Sequence, residues 1–245
     1  MGIFGFGKGK TLYYPGCLTK GVLTEQFENY KEIFNRLGVD FVLLSENESC
    51  CGLPVLNAGY RKDVKKLAKK NYELFKRHGI TKIISNCPSC YYMFKEIYPK
   101  LVNEWNIEVE HATVSILNAL KKKRIRYGGV DEDRELVAYH DPCHLGRYSG
   151  IYEEPREVIE LLGGKIVEAY FNRENAYCCG GGGGVRANFP EIAKAVANKK
   201  ASYIPEHVGK IISPCGLCYA NIKSATEKSM EFSNFVLGKL RGMGR

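Results

Sequence analysis

Ten cysteines divide into two sets of five that share one internal order. Each set contains a single cysteine, an adjacent pair followed by glycine, and a C-x-x-C motif. Cys178 follows Cys50 by 128 residues, and Cys215 follows Cys87 by the same 128. The full set is Cys17, Cys50, Cys51, Cys87, Cys90, Cys143, Cys178, Cys179, Cys215 and Cys218. An offset this long and regular predicts an internal duplication with one thiol site in each half.

Three kinds of chemistry explain part of this pattern and stay open. The glycines at 180–184 resemble a phosphate loop, but Val185 and Arg186 follow where a Walker loop has lysine and then serine or threonine. A tetrahedral zinc site takes four ligands, and each set offers five thiols. Redox dithiols explain the C-x-x-C motifs but neither the adjacent pairs nor the constant spacing.

Iron–sulfur ligation is the interpretation that accounts for all ten cysteines. Thiolates are the ligands of such clusters, and they must reach a compact inorganic core from several directions. Glycine after each pair, at Gly52 and Gly180, lets the backbone approach sulfur without a side-chain clash. Backbone N–H groups of the glycine run, including Gly181, are predicted to hydrogen-bond to cluster sulfur. We therefore predict that all ten cysteines are metal ligands and that these three glycines contact the cofactor.

Alternating strands and helices are predicted to position these residues. In the first half, strands are predicted for TLYY, DFVLLS and TKIIS, and helices for about 27–37, Arg61–Arg77 and from the C-x-x-C motif through Tyr98. In the second half, strands are predicted for ELVAYH, KIVEAY and VGKIIS, and helices for about 153–162, 190–203 and one long stretch after Cys215. Each cysteine group then follows the carboxyl end of a strand, where open α/β sheets bind ligands.

This order of elements predicts an α/β fold with two pseudo-symmetric, Rossmann-like halves, each with a parallel sheet covered by helices. We place the first iron–sulfur domain at residues 1–126 and the second at 127–245. The linker is expected near 121–134, where the apolar periodicity lapses.

The charge and hydropathy patterns exclude several other classes. The net charge is +9, but the longest basic cluster, KKKRIR, is followed by DEDRE, which indicates a solvated surface rather than a nucleic-acid site. No apolar run approaches the roughly 18 residues of a membrane span, and MGIFGFGKGK lacks the apolar block of a signal peptide. We predict a cytoplasmic protein without a transmembrane segment, in which clustered cysteines indicate metal or redox chemistry.

The segments around the cysteines resemble the cysteine-rich (CCG) domain family. The motifs that carry the resemblance are YYPGC, SCCGLP and NCPSC in the first half and HDPCHLGR, YCCGGGGGV and SPCGLC in the second. They span nearly the whole chain. The family includes the catalytic subunits of heterodisulfide reductases, and iron–sulfur subunits of glycolate, lactate and glycerol-3-phosphate dehydrogenases.

This resemblance implies more than the spacing shows. In heterodisulfide reductase, each such motif of the catalytic subunit holds a non-cubane 4Fe-4S cluster with five cysteine ligands, and the substrate disulfide is cleaved between the two clusters. The resemblance therefore implies two 4Fe-4S clusters and an oxidoreductase subunit that reduces a disulfide such as CoM-S-S-CoB, or passes electrons between the clusters. The alternative is an electron-transfer subunit of a lactate, glycolate or glycerol-3-phosphate dehydrogenase complex. A third function is a non-catalytic zinc or iron–sulfur scaffold.

The resemblance also indicates the partners, and the residues that flank Cys143 indicate candidate proton donors. Larger family members carry ferredoxin-type cysteine runs, and none occurs in this sequence. We therefore expect electrons from a ferredoxin-type or flavin subunit, and the basic charge suits an acidic donor. His140 and His144 flank Cys143 and are candidates for proton donation, with structural support of the turn as the other interpretation. His111 is expected in a surface connection.

Overall fold

Two parallel sheets form the framework of the computed structural model, which describes residues 9–44 and 48–243. The first sheet has the strand order β1-β2-β3 and the second the order β5-β4-β6-β7. The strands are β1 Lys10–Tyr13, β2 Ile80–Ser85, β3 Glu108–His111, β4 Glu135–Tyr139, β5 Gly164–Ile166, β6 Lys210–Ser213 and β7 Ser229–Glu231. Every strand pair is parallel, which confirms the predicted α/β class.

The helices follow the strands in both halves. Those of the first half are α1 Cys17–Gly21, α2 Thr24–Leu37, α3 Leu53–Asn57, α4 Arg61–Arg77, α5 Pro88–Tyr92, α6 Tyr98–Leu101 and α7 Ala112–Lys123, with a π-helical turn at Met93–Ile97. Those of the second half are α8 Glu153–Leu161, α9 Val185–Asn188, α10 Pro190–Ala201, α11 Gly216–Lys223 and α12 Phe232–Gly242. In the part of the chain that the structure describes, no helix has the length and apolar character needed to cross a membrane.

The two sheets repeat one topology with a single difference. In the first, β1 pairs with β2 and β2 with β3; in the second, β4 pairs with β6 and β6 with β7. The second sheet adds β5 beside β4. At the matching edge of the first sheet, the strand predicted for residues 40–45 is reduced to one bridge between Leu12 and Val42, and Ser45 lies outside the described residues. Two backbone hydrogen bonds join Val42 to β1, too few for a ladder.

The last strand of each half was not predicted. The segment after Cys215 is not one long helix, because β7 separates α11 from α12. In the first half, β3 precedes α7 in the same way. Both strands are short and carry charged residues, EVEH and SME, so they show no clear apolar alternation. Each ends in a residue whose side chain caps the next helix: His111 accepts from Thr113 N and Glu231 from Ser233 N. His111 is fully buried rather than in a surface connection.

A layer of helices shared by the two halves separates the sheets. From the first half α2 and α7, and from the second half α8 and α12, pack on one another. A single apolar core joins them, and it includes Tyr30 and Phe34 from α2 together with Val137 and Phe235 from the second half. Polar pairs border this core, including Arg241 with Glu32. The halves are therefore joined by a common core and not merely by a linker.

The buried carboxyl of Glu231 gives this core a predictable pH dependence. Burial raises the pKa of Glu231 from 4.5 to about 7. The folded state therefore holds a proton that the unfolded chain has released, so this contribution to stability is complete below about pH 4.5 and is lost as pH rises through about 7. We expect Glu231→Gln, which stays neutral, to flatten the decline of Tm across that window. Thermal unfolding of the apoprotein by circular dichroism measures the effect.

Glu227→Gln is the matched control, because Glu227 is exposed. This variant should keep the pH profile of the unchanged protein. Identical profiles for Glu231→Gln and the unchanged protein would show that the Glu231 carboxyl does not titrate in this window.

Candidate metal centres

The five thiols of the first half form one continuous row of sulfur contacts. Each sulfur neighbours the next in the order Cys17, Cys50, Cys51, Cys90 and Cys87. They arrive on three segments: the start of α1 after β1, the turn before α3, and the start of α5 after β2. Two of these segments follow the carboxyl ends of neighbouring parallel strands, so the sheet itself brings them together.

The second half repeats this row with the same connectivity. Its sulfurs are in contact in the order Cys143, Cys178, Cys179, Cys218 and Cys215. All ten cysteines are free thiols. The structure thus brings together every predicted sulfur, and their role as metal ligands stays a prediction.

Neighbouring thiols lower the pKa of the first cysteine of each adjacent pair. The pKa of Cys50 is lowered to about 2, because Cys17 and Cys51 donate to its sulfur and the N–H of Gly52 adds a third bond. The pKa of Cys17 is raised, chiefly because its thiol donates to Cys50. Cys178 and Cys143 repeat this pair of opposite shifts in the second half. In the first half the pKa of Cys87 is lowered as well, to about 7, because of its hydrogen bond with Cys90. Metal binding must displace the protons that the remaining thiols hold.

Glycines after the cysteine pairs direct backbone N–H groups at sulfur. The N–H of Gly52 lies 3.4 Å from Cys50 Sγ, and the N–H of Gly180 lies 3.4 Å from Cys178 Sγ. Gly181 N–H makes a 3.4 Å contact with Cys179 Sγ. Gly52 and Gly180 have φ values of 92° and 84°, a left-handed conformation that favours glycine. The structure thus supplies the predicted N–H groups at the sulfurs.

Gly16 is a site residue that sequence analysis missed. It has φ 78°, and a Cβ atom there would lie 3.1 Å from both Cys87 Cβ and Cys90 Sγ. Only a glycine lets the loop that carries Cys17 approach the C-x-x-C motif this closely. The available signal was the Pro-Gly step in YYPGC.

Two buried asparagines, also missed, hold the backbone of the cysteine pairs. Asn71 Nδ2 donates to Cys50 O at 3.1 Å and to the Tyr98 hydroxyl at 2.8 Å. Asn221 Nδ2 donates to Cys179 O at 2.6 Å. Each amide ties a cysteine pair to a helix of its own half. A polar residue on the otherwise apolar face of α4 was the signal for Asn71.

The two predicted histidines occupy different environments beside the second row. His140 is buried, and neither of its ring nitrogens has a hydrogen-bond partner within the described residues. A nitrogen of His140 and the sulfurs of Cys179 and Cys218 all lie within 4.8 Å of one another. His144 Nδ1 lies 3.4 Å from Cys143 Sγ. Burial lowers the pKa of both rings, so both are neutral near pH 7.

An ion network fixes the loops of the second row. Arg156 binds both carboxylate oxygens of Asp141 at 2.7 and 2.9 Å, and Arg173 N–H donates to Asp141 at 2.9 Å. Arg147 Nη1 donates to Ala176 O at 2.6 Å, which joins the loop after Cys143 to the one before Cys178. Because Arg156 and Asp141 are buried, breaking their pair costs about 3–5 kcal/mol.

Both rows adjoin the boundary between the halves. Tyr92, two residues after Cys90, packs edge-on against His144, with ring centroids 5.6 Å apart. Gly216, next to Cys215, is so close to α1 and the following turn that a Cβ atom there would meet Leu23 Cδ1 at 2.6 Å. Residues next to a cysteine of each row therefore contact the other half.

The donor set fits a thiolate-bound cluster better than the other interpretations. A single tetrahedral zinc ion would leave one thiol of each row without a metal. The N–H groups of the glycine run point at sulfur, as hydrogen bonds to a cluster require. The unpaired nitrogens of buried His140 also need a partner that the described residues do not provide.

Comparison with known proteins gives the same picture. The family profile described as CCG, cysteine-rich domain, matches residues 11–95 and 137–223. The chain is 36% identical over 224 residues to a subunit of the dihydromethanophenazine:CoB–CoM heterodisulfide reductase of Methanosarcina acetivorans, covering 88% of this chain and 54% of that one. It is 30% identical over 227 residues to an iron–sulfur protein of Methanocaldococcus jannaschii, covering 91% and 43%.

A third relative is EtfAB:quinone oxidoreductase of Syntrophomonas wolfei, 33% identical over 180 residues that cover 71% of this chain and 24% of the relative. The chain spans about half the length of the heterodisulfide reductase subunits that it matches. These relatives support iron–sulfur binding and a redox role within a larger oxidoreductase.

Gly180→Ala tests the tight turn after the second cysteine pair. A Cβ atom at Gly180 would lie 2.7 Å from Val196 Cβ, and the left-handed φ adds about 1–2 kcal/mol of strain. We expect a lower Tm for the apoprotein and less iron bound after reconstitution, measured by calorimetry and metal analysis.

Gly182→Ala in the same glycine run is the control. Its Cβ atom would meet nothing within 4 Å. It should keep the Tm and iron content of the unchanged protein. Equal effects of the two substitutions would refute a specific role for the Gly180 turn.

Proposed function

Because this chain belongs to the cysteine-rich (CCG) domain family, we propose that it is an iron–sulfur subunit of a heterodisulfide-reductase-like oxidoreductase that reduces a small disulfide. The observation that carries this proposal is the presence of two matched five-sulfur rows that adjoin one boundary between the halves. A disulfide needs two electrons for reduction. Two one-electron centres would together supply those electrons.

The two rows are the proposed ligand sets. Residues 1–126 would hold one 4Fe-4S cluster through Cys17, Cys50, Cys51, Cys87 and Cys90. Residues 127–245 would hold the other through Cys143, Cys178, Cys179, Cys215 and Cys218. By the family resemblance, both clusters would be of the non-cubane type. Gly52, Gly180 and Gly181 would donate backbone N–H groups to them.

The reaction adds two electrons and two protons to a disulfide, breaks its S–S bond and releases two thiols. Each bound cluster would supply one of the electrons. His144 lies beside Cys143 and packs on Tyr92 across the boundary, so its neutral ring would offer a hydrogen bond to a departing sulfur. His140 is buried behind the row and would hydrogen-bond to a ligand sulfur, while the protons come from solvent.

The partners are proposed to be other redox subunits. A ferredoxin-type or flavin subunit would deliver the electrons. The net charge of +9 favours a donor with an acidic surface, because opposite charge accelerates encounter.

A second candidate function is electron transfer without disulfide chemistry. The similarity to EtfAB:quinone oxidoreductase favours it. In that role the chain would pass electrons from a flavin dehydrogenase, such as one for lactate, glycolate or glycerol-3-phosphate, to a further acceptor.

Metal content tests the cofactor. We expect anaerobically reconstituted protein to bind about eight irons and matching sulfide per chain, since two 4Fe-4S clusters require them. Cys179→Ser and Cys51→Ser should each lower the iron content and remove one EPR signal. Zinc without sulfide would instead indicate a scaffold. Unchanged iron and spectra in Cys179→Ser would remove Cys179 from the ligand set.

Disulfide-dependent oxidation separates the two redox functions. We expect CoM-S-S-CoB to oxidise the reduced protein, with two thiols released for every two electrons. EPR measures the oxidation of the clusters, and thiol titration measures the thiols released. The His144→Phe variant, which keeps the aromatic contact with Tyr92, should react at least tenfold more slowly while binding the same iron. A cluster spectrum that no disulfide perturbs would leave electron transfer as the function.

A further inference from the structure

Lys200 is a buried cation beside the second sulfur row. Its side chain lies on the inner face of α10 and is 1% exposed. The other buried cation of the described residues, Arg156, is paired with Asp141 and Glu168. Among those same residues, the ammonium of Lys200 forms neither an ion pair nor a hydrogen bond. Such a group costs free energy unless negative charge stands nearby.

Helix α10 packs directly on the second row. A Cβ atom at Gly180 would lie 2.7 Å from Val196 Cβ and 3.1 Å from Ala193 O. Asn221 Nδ2 joins Ala193 O to Cys179 O, at 3.1 and 2.6 Å. Burial lowers the pKa of Lys200, and the nearby Asp141, Cys218 and Cys179 oppose that shift. The charge of Lys200 also lowers the pKa of His140, after the larger effect of burial.

The nearby carboxylates are committed to arginines. Arg156 takes both oxygens of Asp141, and its Nε and Nη2 donate to Glu168 at 2.8 and 3.0 Å. Arg173 binds Glu168 as well. These carboxylates attract the Lys200 charge at a distance without contacting it. Once they bind metal, the sulfurs of Cys179 and Cys218 become negative groups near Lys200 that no ion pair of the described residues engages.

The first half has a neutral residue at the corresponding place. The buried positions of α10 are Ala193, Ala197 and Lys200, spaced as Val64, Ala68 and Asn71 are on α4. Asn71 is uncharged and uses its amide on Cys50 O. No lysine or arginine among the described residues of the first half is buried. The two rows thus match in sulfur connectivity and differ in charge.

We propose that Lys200 tunes the second centre to the higher reduction potential, so that an electron entering the chain resides preferentially there. This inference rests on the proposed function, in which both rows hold iron–sulfur clusters. Reduction adds negative charge to a cluster, and a cation buried beside it stabilises that charge more strongly than one in water. Lys200 acts electrostatically on the ligand sulfurs and does not contact substrate.

The test is an EPR-monitored redox titration of the reconstituted full chain. Cys51→Ser, which disables the first row, assigns the signals to the two centres. We expect Lys200→Met to lower the potential of the second centre so that its reduced-to-oxidised ratio falls at least tenfold at a fixed solution potential, about 59 mV for one electron. The first centre should shift less. Lys200→Arg keeps the charge, so its second centre should have the same potential as the second centre of the unchanged protein.

Lys194→Met is the matched control, because it removes the same charge from an exposed position of α10. It should leave both potentials in place. The apoprotein of Lys200→Met should unfold at an equal or higher temperature than the unchanged apoprotein, because an unpaired buried charge is lost. Lys200→Gln is a second neutral variant, and its titration decides the question if Lys200→Met binds no cluster.

The outcomes separate the inference from the function on which it rests. Failure of the unchanged protein to bind iron and sulfide would overturn the proposed function. Normal cluster content with the same second-centre potential in Lys200→Met, Lys194→Met and the unchanged protein would overturn the role of Lys200 alone. A second centre with the lower potential of the two would also overturn it.

Discussion

Bringing five sulfur atoms from three separate segments into one row is the constraint on which each half depends. Parallel strands supply two of the segments, since β1 and β2, or β4 and β6, end at the same sheet edge. The third segment carries adjacent cysteines, and its turn needs a left-handed glycine at Gly52 or Gly180. Buried amides from Asn71 and Asn221 then fix the pair's backbone. The sheet edge, the glycine turn and the buried amides therefore all position the same five sulfurs in each half.

Duplication repeats the sulfur connectivity but not its surroundings. Where the first half has Tyr14 three residues before Cys17, the second has His140 three residues before Cys143. The Tyr14 hydroxyl is satisfied by Ser49 O at 2.6 Å, whereas both nitrogens of His140 are left without a partner in the described part of the chain. A duplicated scaffold therefore presents two chemically distinct sites, which a reaction with an asymmetric electron supply or substrate can use.

Sequence reasoning reached the features that depend on local pattern and spacing. The cysteine register, the α/β class and the bounds of α4 follow from periodicity and repetition. It did not reach β3 and β7, because their short charged segments are strands only through pairing with β2 and β6. Nor did it reach Gly16, whose requirement arises from approach to Cys90, or the burial of His111, which depends on distant packing. Local sequence propensity carries no information about contacts between distant segments.

The shared helical layer has a consequence for the order of assembly. Glu32 of α2 and Arg241 of α12 are 209 residues apart in sequence, yet they form an ion pair beside the common core. During synthesis, α2 must wait for nearly the whole described chain before its packing partner α12 is available. Contacts between such distant segments slow folding and make it late and cooperative. We therefore expect the two halves to fold cooperatively around both sulfur rows, and metal to be inserted after translation.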